Sequence, residues 1–205
     1  MRLDLISRQQ TAGDSPVDVL PVTLATAKAH LHIGSGVTKH DTELAIYVDA
    51  ARDWAEKTTG RALISQVWNM WLDSSEVLAS DVLTVPIATL QATGVTITSY
   101  DADDAATVKT ASTYGVSTPT DSRGRIYLND GQSWPSDLRA RDALKIVWTA
   151  GYGDAATDVP DAIISAMLMR IGTMFLQRED TIVGQSTSTI TAAEQMLTSY
   201  RIITV

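Results

Sequence analysis

The feature that most constrains the fold of this chain is a change of hydrophobic period that occurs twice along it. Residues 23–59 and 159–200 carry apolar side chains at the three-to-four-residue spacing of amphipathic helices. Residues 60–153 are rich in Thr, Val and Gly and alternate with a period of two, which indicates short strands. Because neither helical flank can bury its apolar face alone, we expect the two flanks to pack together. The sequence therefore predicts an α+β fold, in which a helical base built from N- and C-terminal helices carries an inserted small antiparallel β domain.

Three parts are predicted along the chain. Residues 1–20 mix polar residues with a glycine and a proline, so they form either an N-terminal arm or an edge strand. Residues 21–60 and 154–205 together form the helical base, and residues 61–153 form the inserted β domain. Turn-forming clusters divide the inserted domain into about six short strands. The strands are predicted at residues 64–72, 82–85, 95–100, 113–116, 125–128 and 144–148.

Capping signals predict where the helices begin and end. Thr23 is an N-cap candidate, and the two glycines of Gly34–Gly36 are expected to stop the first helix. Asp41 is the next N-cap candidate, and Gly60 ends that helix because glycine adopts positive φ without steric strain. Pro160 marks the start of the C-terminal helix.

The composition argues against several classes of partner. Lys and Arg total 16 against 24 Asp and Glu, a formal charge of −8, and no basic run occurs. Stable DNA binding is therefore not expected, whereas the composition does not exclude an acidic surface that DNA slides past. No apolar run approaches the roughly 20 residues that span a bilayer, so no membrane partner is expected. The N-terminus lacks the apolar core of a secretory leader, so synthesis in the cytoplasm is expected.

No group of residues predicts a reaction centre. His30 and His32 would point to nearly opposite sides of a helix, and His40 has no acidic neighbour at the spacing of a zinc motif. The acidic cluster Asp101–Asp104 would need a carboxylate at Ser112 to form a calcium loop. The chain has no cysteine. We therefore expect no catalytic, cofactor-binding or metal-binding residue and no enzyme; a hydrolase that pairs a histidine with a carboxylate is the alternative of that class.

A series of landmarks covers the chain beyond residue 20. In the first helical flank and the strand after it they are Asp41, Leu44, Ala50–Arg52, Trp54, Glu56, Thr59–Ile64, Gln66 and Trp68. In the remainder they are Pro86, Ile87, Gly124–Leu128, Trp134, Pro135, Gly151–Gly153, Val159–Ile163, Leu197, Tyr200 and Arg201. In order and spacing, these landmarks resemble the head–tail connector (adaptor) family of tailed phages.

The resemblance implies a structural virion protein of the head–tail neck. Members of that family form a ring, normally a dodecamer, which joins the portal protein to a stopper or tail-completion protein. DNA passes through the ring without sequence recognition. Related rings occur in phage-like gene transfer particles. The implied location is the virion, after synthesis in the host cytoplasm.

Site residues follow from the resemblance and from the position of the helices. The ring interface is predicted at Arg52, Trp54 and Glu56, with packing in the core as the other interpretation of Trp54. The contact with the portal is predicted in the C-terminal tail, at Tyr200, Arg201, Ile202 and Ile203. Deletion of residues 195–205 is expected to abolish portal docking and leave the fold intact.

A second hypothesis comes from a different class of protein. The chain has five Trp and six Tyr but one Phe, and Trp and Tyr suit surfaces that a partner half covers. A carbohydrate- or surface-binding β module would expose aromatic rings for stacking on sugars. Its candidate residues are Trp68, Trp71, Tyr127 and Trp134.

Overall fold

The chain forms two compact units in the computed structural model, which describes residues 1–7, 10–12, 15–17, 19–120, 122–177 and 191–202. The β unit contains the described residues of 1–17, residues 65–152 and Ile202. The helical unit contains residues 19–64 and the described residues of 153–201. None of the described helices is long and apolar enough to cross a membrane.

Strands and helices are numbered in chain order. The strands are β1 (Arg2–Ser7), β2 (Gln10–Ala12), β3 (Ser15–Val17), β4 (Gln66–Leu72), β5 (Val82–Thr84), β6 (Thr96–Tyr100), β7 (Ala106–Val108), β8 (Tyr114–Ser117), β9 (Arg125–Leu128) and β10 (Leu144–Ala150). The helices are α1 (Leu24–His30), α2 (Asp41–Thr59), α3 (Ser74–Leu78), α4 (Asp161–Leu176) and α5 (Ala192–Thr198).

Local chemistry sets the start of α1 and the end of α2 in the helical unit. The Thr23 hydroxyl accepts a hydrogen bond from Thr26 N at 3.1 Å, which confirms Thr23 as the N-cap of α1. Gly60 has φ +71° and its N–H donates to the Glu56 carbonyl, so α2 ends as predicted. Helix α1 ends at His30, ahead of the predicted glycines, and His32 adopts φ +56°.

The prediction that Asp41 caps α2 is wrong. The N-cap is His40, which makes no side-chain capping bond, and Asp41 is the first residue of the helix. The Asp41 carboxylate instead lies 2.5 Å from Lys28 Nζ, so it forms an ion pair with α1. A negative charge in the first helical turn also interacts favourably with the helix dipole.

Helix α2 packs against α4 and α5, and this contact forms the core of the helical unit. Its buried face carries Leu44 and Val48, which recur at the helical spacing noted in the sequence. From α4, Ile163, Met167 and Ile171 are fully buried. Burial of one such side chain contributes about 1.5–3 kcal/mol, so this face dominates the stability of the unit.

The β unit is built from antiparallel sheets. Its larger sheet has five strands in the order β1-β4-β10-β6-β7, and a second sheet has the order β5-β9-β8. Met70, Ile97 and Ile146 lie side by side across the three central strands of the larger sheet and are fully buried. All six predicted strands are present, with ends shifted by one or two residues, because each begins or ends at a turn-forming cluster.

Two segments of the β unit are defined by strand pairing and by side-chain hydrogen bonds. Residues 2–7 pair with β4 as an edge strand, one of the two alternatives for this segment. The acidic cluster is the turn between β6 and β7, where Asp101 Oδ1 accepts hydrogen bonds from Asp103 N and Ala105 N. The carboxylate thus closes an Asx turn, the usual role of Asp in such positions. The fold is mixed, with helices and antiparallel sheets, which confirms the α+β class; the role of the helical unit as a base stays a prediction.

Candidate interaction site

Two of the residues predicted at a ring interface lie inside the helical unit. Arg52 is 1% exposed, and its Nε lies 3.5 Å from Glu56 Oε1. The same carboxylate oxygen accepts a hydrogen bond from Leu63 N at 3.1 Å. The Arg52–Glu56 pair therefore connects α2 with the segment that follows the helix, at Leu63. Because these side chains contact their own unit, they support the fold at this end of the helix.

Trp54, the third predicted ring-interface residue, keeps part of its side chain exposed to solvent. Its side chain is half-buried, and the guanidinium of Arg170 lies 5.6 Å from the centre of its ring. A cation over an indole face stabilises the contact between α2 and α4 by about 0.5–1 kcal/mol. The ring-interface prediction for Arg52, Trp54 and Glu56 stays a prediction; Arg52 is buried, whereas Trp54 is half-buried and keeps part of its ring accessible.

The predicted portal-contact segment is attached to the helical unit by one strong hydrogen bond. Buried Arg61 donates from Nε to the Tyr200 carbonyl at 2.6 Å. Beyond this point Arg201 is exposed and Ile202 is half-buried, while Ile203 lies outside the described residues. Leu197 of the preceding helix is fully buried. A deletion from residue 195 would remove Leu197 from the core, so we expect it to destabilise the helical unit as well as to remove the predicted portal contact.

The aromatic residues of the second hypothesis do not share one exposed surface. Trp68 and Trp71 lie on β4 at positions of opposite parity, so their side chains point to opposite faces of the sheet. Trp134 is 7% exposed and donates from Nε1 to the Ser80 carbonyl at 3.2 Å, so its predicted exposure is wrong. Tyr127 is exposed and its ring lies across Gly115, where any side chain would overlap it.

Within the described ranges, no three His, Asp or Glu side chains are close enough to hold a metal ion. The His40 ring packs edge-on against the Phe175 ring at 5.3 Å and lies 3.5 Å from a Glu43 carboxylate oxygen. These contacts are those of a histidine that packs within a helical unit.

Sequence reasoning missed a concentration of cations and aromatic rings on one face of the larger sheet. The Trp71 ring centre lies 5.2 Å from the Arg2 guanidinium and 5.3 Å from Lys145 Nζ. The Tyr100 ring lies 5.7 Å from that of Trp71, and the Arg139 guanidinium lies 4.4 Å from Tyr100. We call Arg2, Trp71, Tyr100, Arg139 and Lys145 the cation–aromatic face. Arg, Trp and Tyr are the residues most enriched at binding hot spots.

Two of the three cations on this face have carboxylate partners. Arg2 Nε lies 3.1 Å from Asp4 Oδ2. Arg139 Nη1 lies 2.9 Å from Asp104 Oδ1. Within the described part of the chain, no carboxylate lies within ion-pair distance of Lys145. Arg2 Nη1 also lies 3.6 Å from Asp142 Oδ2. Lys145 is therefore the one cation of this face without an ion-pair partner among the described residues.

A carboxylate network borders the cation–aromatic face. The backbone N–H of Asp142 and the Arg141 guanidinium both donate to Asp73 and lower its pKa. The backbone N–H of Asp73 donates to Glu76 and lowers the pKa of Glu76 in turn. The Asp73 and Glu76 carboxylates are therefore held in the charged form.

In the second sheet, burial raises the pKa of the Tyr114 phenol, whose hydroxyl donates to the Val95 carbonyl.

Comparison with models of known families finds no match, and comparison with curated proteins finds no relative. The fold is nevertheless similar to those of three solved chains. Each match covers 100% of this chain and 97% of the solved chain. Their sources are the neck of an empty GTA particle computed with C6 symmetry (22% identity, TM-score 0.77), the virion of a native gene transfer agent (GTA) particle (22%, 0.75) and the neck of a native GTA particle computed with C12 symmetry (24%, 0.73). At this identity the likeness establishes the fold.

Proposed function

We propose that this protein is a structural component of the head–tail neck of a phage-like particle. In this role it is a connector (adaptor) that assembles into a ring, joins the portal to a stopper or tail-completion protein, and lets DNA pass. The observation that carries the proposal is a likeness over the whole chain to solved chains from gene transfer agent particles, two of them from the neck. The C12 symmetry of one of these necks supports a ring of twelve copies, and the C6 symmetry of the other is contained in C12.

Two further observations support a structural role. The excess of Asp and Glu over Lys and Arg opposes retention of DNA by its phosphates, which suits a passage better than a binding site. The chain also offers different surfaces on its two units, and a closed ring needs a heterologous contact between two different faces.

The proposed portal contact is the C-terminal segment at Tyr200, Arg201, Ile202 and Ile203, and the proposed ring contact includes Trp54 beside Arg52 and Glu56. Arg201 is exposed and follows the carbonyl that Arg61 holds. The structure favours a direct test at this residue, since Arg201→Glu removes no buried contact.

The experiment is negative-stain imaging of the purified protein with and without its portal protein. Annular particles, and their docking on the portal, are expected for the unaltered chain. Arg201→Glu should weaken docking in a pull-down, whereas Lys57→Glu, an exposed change at the end of α2, should not. Absence of annular particles in both samples would reject the connector role.

A further inference from the structure

The cation–aromatic face has the chemistry of a protein-binding surface. Arg2, Trp71, Lys145 and Thr98 are consecutive cross-strand partners, so their side chains lie in one row on the same face. At the end of that row, Val108 is 63% exposed. Rings partly covered by cations, with one uncompensated ammonium at Lys145, suit a partner that presents an apolar group next to a carboxylate.

The outer side of α2 presents such a combination. Ile46 is 62% exposed, and Asp49 follows it by three residues on the same side of the helix. Asp49 makes no ion pair with any residue that the structure describes. Ala45 and Ala50 next to them are exposed and small, so another surface can approach the helix closely. We call these four residues the α2 outer strip.

We propose that the cation–aromatic face of one copy binds the α2 outer strip of the next copy, with Lys145 paired to Asp49 and Ile46 packed on Trp71. This inference rests on the proposed ring. Lys145 and Asp49 carry opposite charges, and the two patches are different parts of one chain, so the contact is heterologous and repeats from copy to copy. A symmetric contact between two cation–aromatic faces would place the uncompensated Lys145 charges together, which like-charge repulsion disfavours.

The chain has no cysteine, so introduced thiols report this contact without background. Thr98→Cys places a thiol beside Lys145 on the cation–aromatic face, and Ala45→Cys places one a helical turn before Asp49. Copies with one change are mixed at high protein concentration with copies carrying the other, and a short bis-maleimide is added. A covalent heterodimer is expected. The matched control mixes Thr98→Cys with Lys57→Cys, an exposed position on α2 outside the strip.

Charge reversal then tests the pair itself. Adding Lys145→Glu to both cysteine variants should lower the heterodimer yield at least about tenfold, because it sets two like charges against each other. Adding Asp49→Lys as well should restore the yield. Restoration is not expected from a general loss of folding, so it separates the contact from a structural effect.

The results separate this inference from the proposed function. A yield no higher than that of the Lys57→Cys control overturns the inference, even if annular particles form. A yield that Lys145→Glu leaves unchanged also overturns it. A specific heterodimer without annular particles on the portal would keep the contact and reject the ring connector.

Discussion

Lys28 Nζ lies 2.5 Å from Asp41 Oδ1, and the lysine side chain is almost wholly buried whereas that of the aspartate is 30% exposed. Lys28 also donates to the Ser35 carbonyl at 3.4 Å. The ammonium thus joins three segments that are separate in sequence: α1, the loop after it and the first turn of α2. A buried ammonium is stable here because the Asp41 carboxylate and the Ser35 carbonyl oxygen replace the water molecules that would otherwise hydrate it.

Removal of the carboxylate should destabilise the protein more than removal of the lysine. Breaking a fully buried pair costs about 3–5 kcal/mol, and partial exposure of Asp41 lets water replace some of the interaction. We expect Asp41→Asn to lower the free energy of unfolding by about 2 kcal/mol, and Lys28→Met by less because no buried charge is left. Urea denaturation measures both changes. Asp49→Asn, on the exposed side of the same helix, should change the unfolding free energy little.

The bond between Arg61 and Tyr200 should hold the C-terminal segment in place. We expect Arg61→Ala to lower the free energy of unfolding by about 2 kcal/mol, because a buried charged donor is lost and the Tyr200 carbonyl loses its partner. Hydrogen exchange should rise across residues 192–202. Exposed Arg201→Ala should leave both measurements unchanged. Equal protection of this segment in the two variants would contradict the assigned anchor.

Gly60 and Gly36 should respond differently to the same substitution. Gly60 ends α2 at φ +71°, where a Cβ is strained, so Gly60→Ala should cost about 1 kcal/mol. Gly36 has no positive φ and nothing near its Cβ position, so Gly36→Ala should be neutral or slightly stabilising. Thermal unfolding of both variants measures the difference. Equal losses would mean that the α2 end does not depend on backbone conformation.

Acid should weaken the network at α3. The pKa values of Asp73 and Glu76 lie below their ordinary values of 3.8 and 4.5 in the folded protein. Their contribution is therefore present above the ordinary values and is lost as the pH falls through the lowered ones. Urea midpoints at pH 7 and pH 3 should differ less for the Asp73→Asn, Glu76→Gln double variant than for the unaltered chain. An unchanged difference would assign the acid sensitivity to other carboxylates.

Local signals in the sequence were sufficient for the six predicted strands, for the α1 start at Thr23 and for the α2 end at Gly60. Each depends on the conformational preference of a few neighbouring residues, which the sequence displays directly. By contrast, the same local rules chose Asp41 as a cap, since they could not show that buried Lys28 competes for its carboxylate.

The sequence by itself determined the fold class and the order of the six predicted strands between the helical flanks, because hydrophobic period and turn residues act over short distances. Only the tertiary structure decided which polar side chains are inside and which rings and cations meet. Arg52 looks like a surface residue in the sequence yet is buried with Glu56, and Arg2 reaches Trp71 only because β1 pairs with β4. Those outcomes depend on strand register and helix packing between distant segments, which no local pattern encodes.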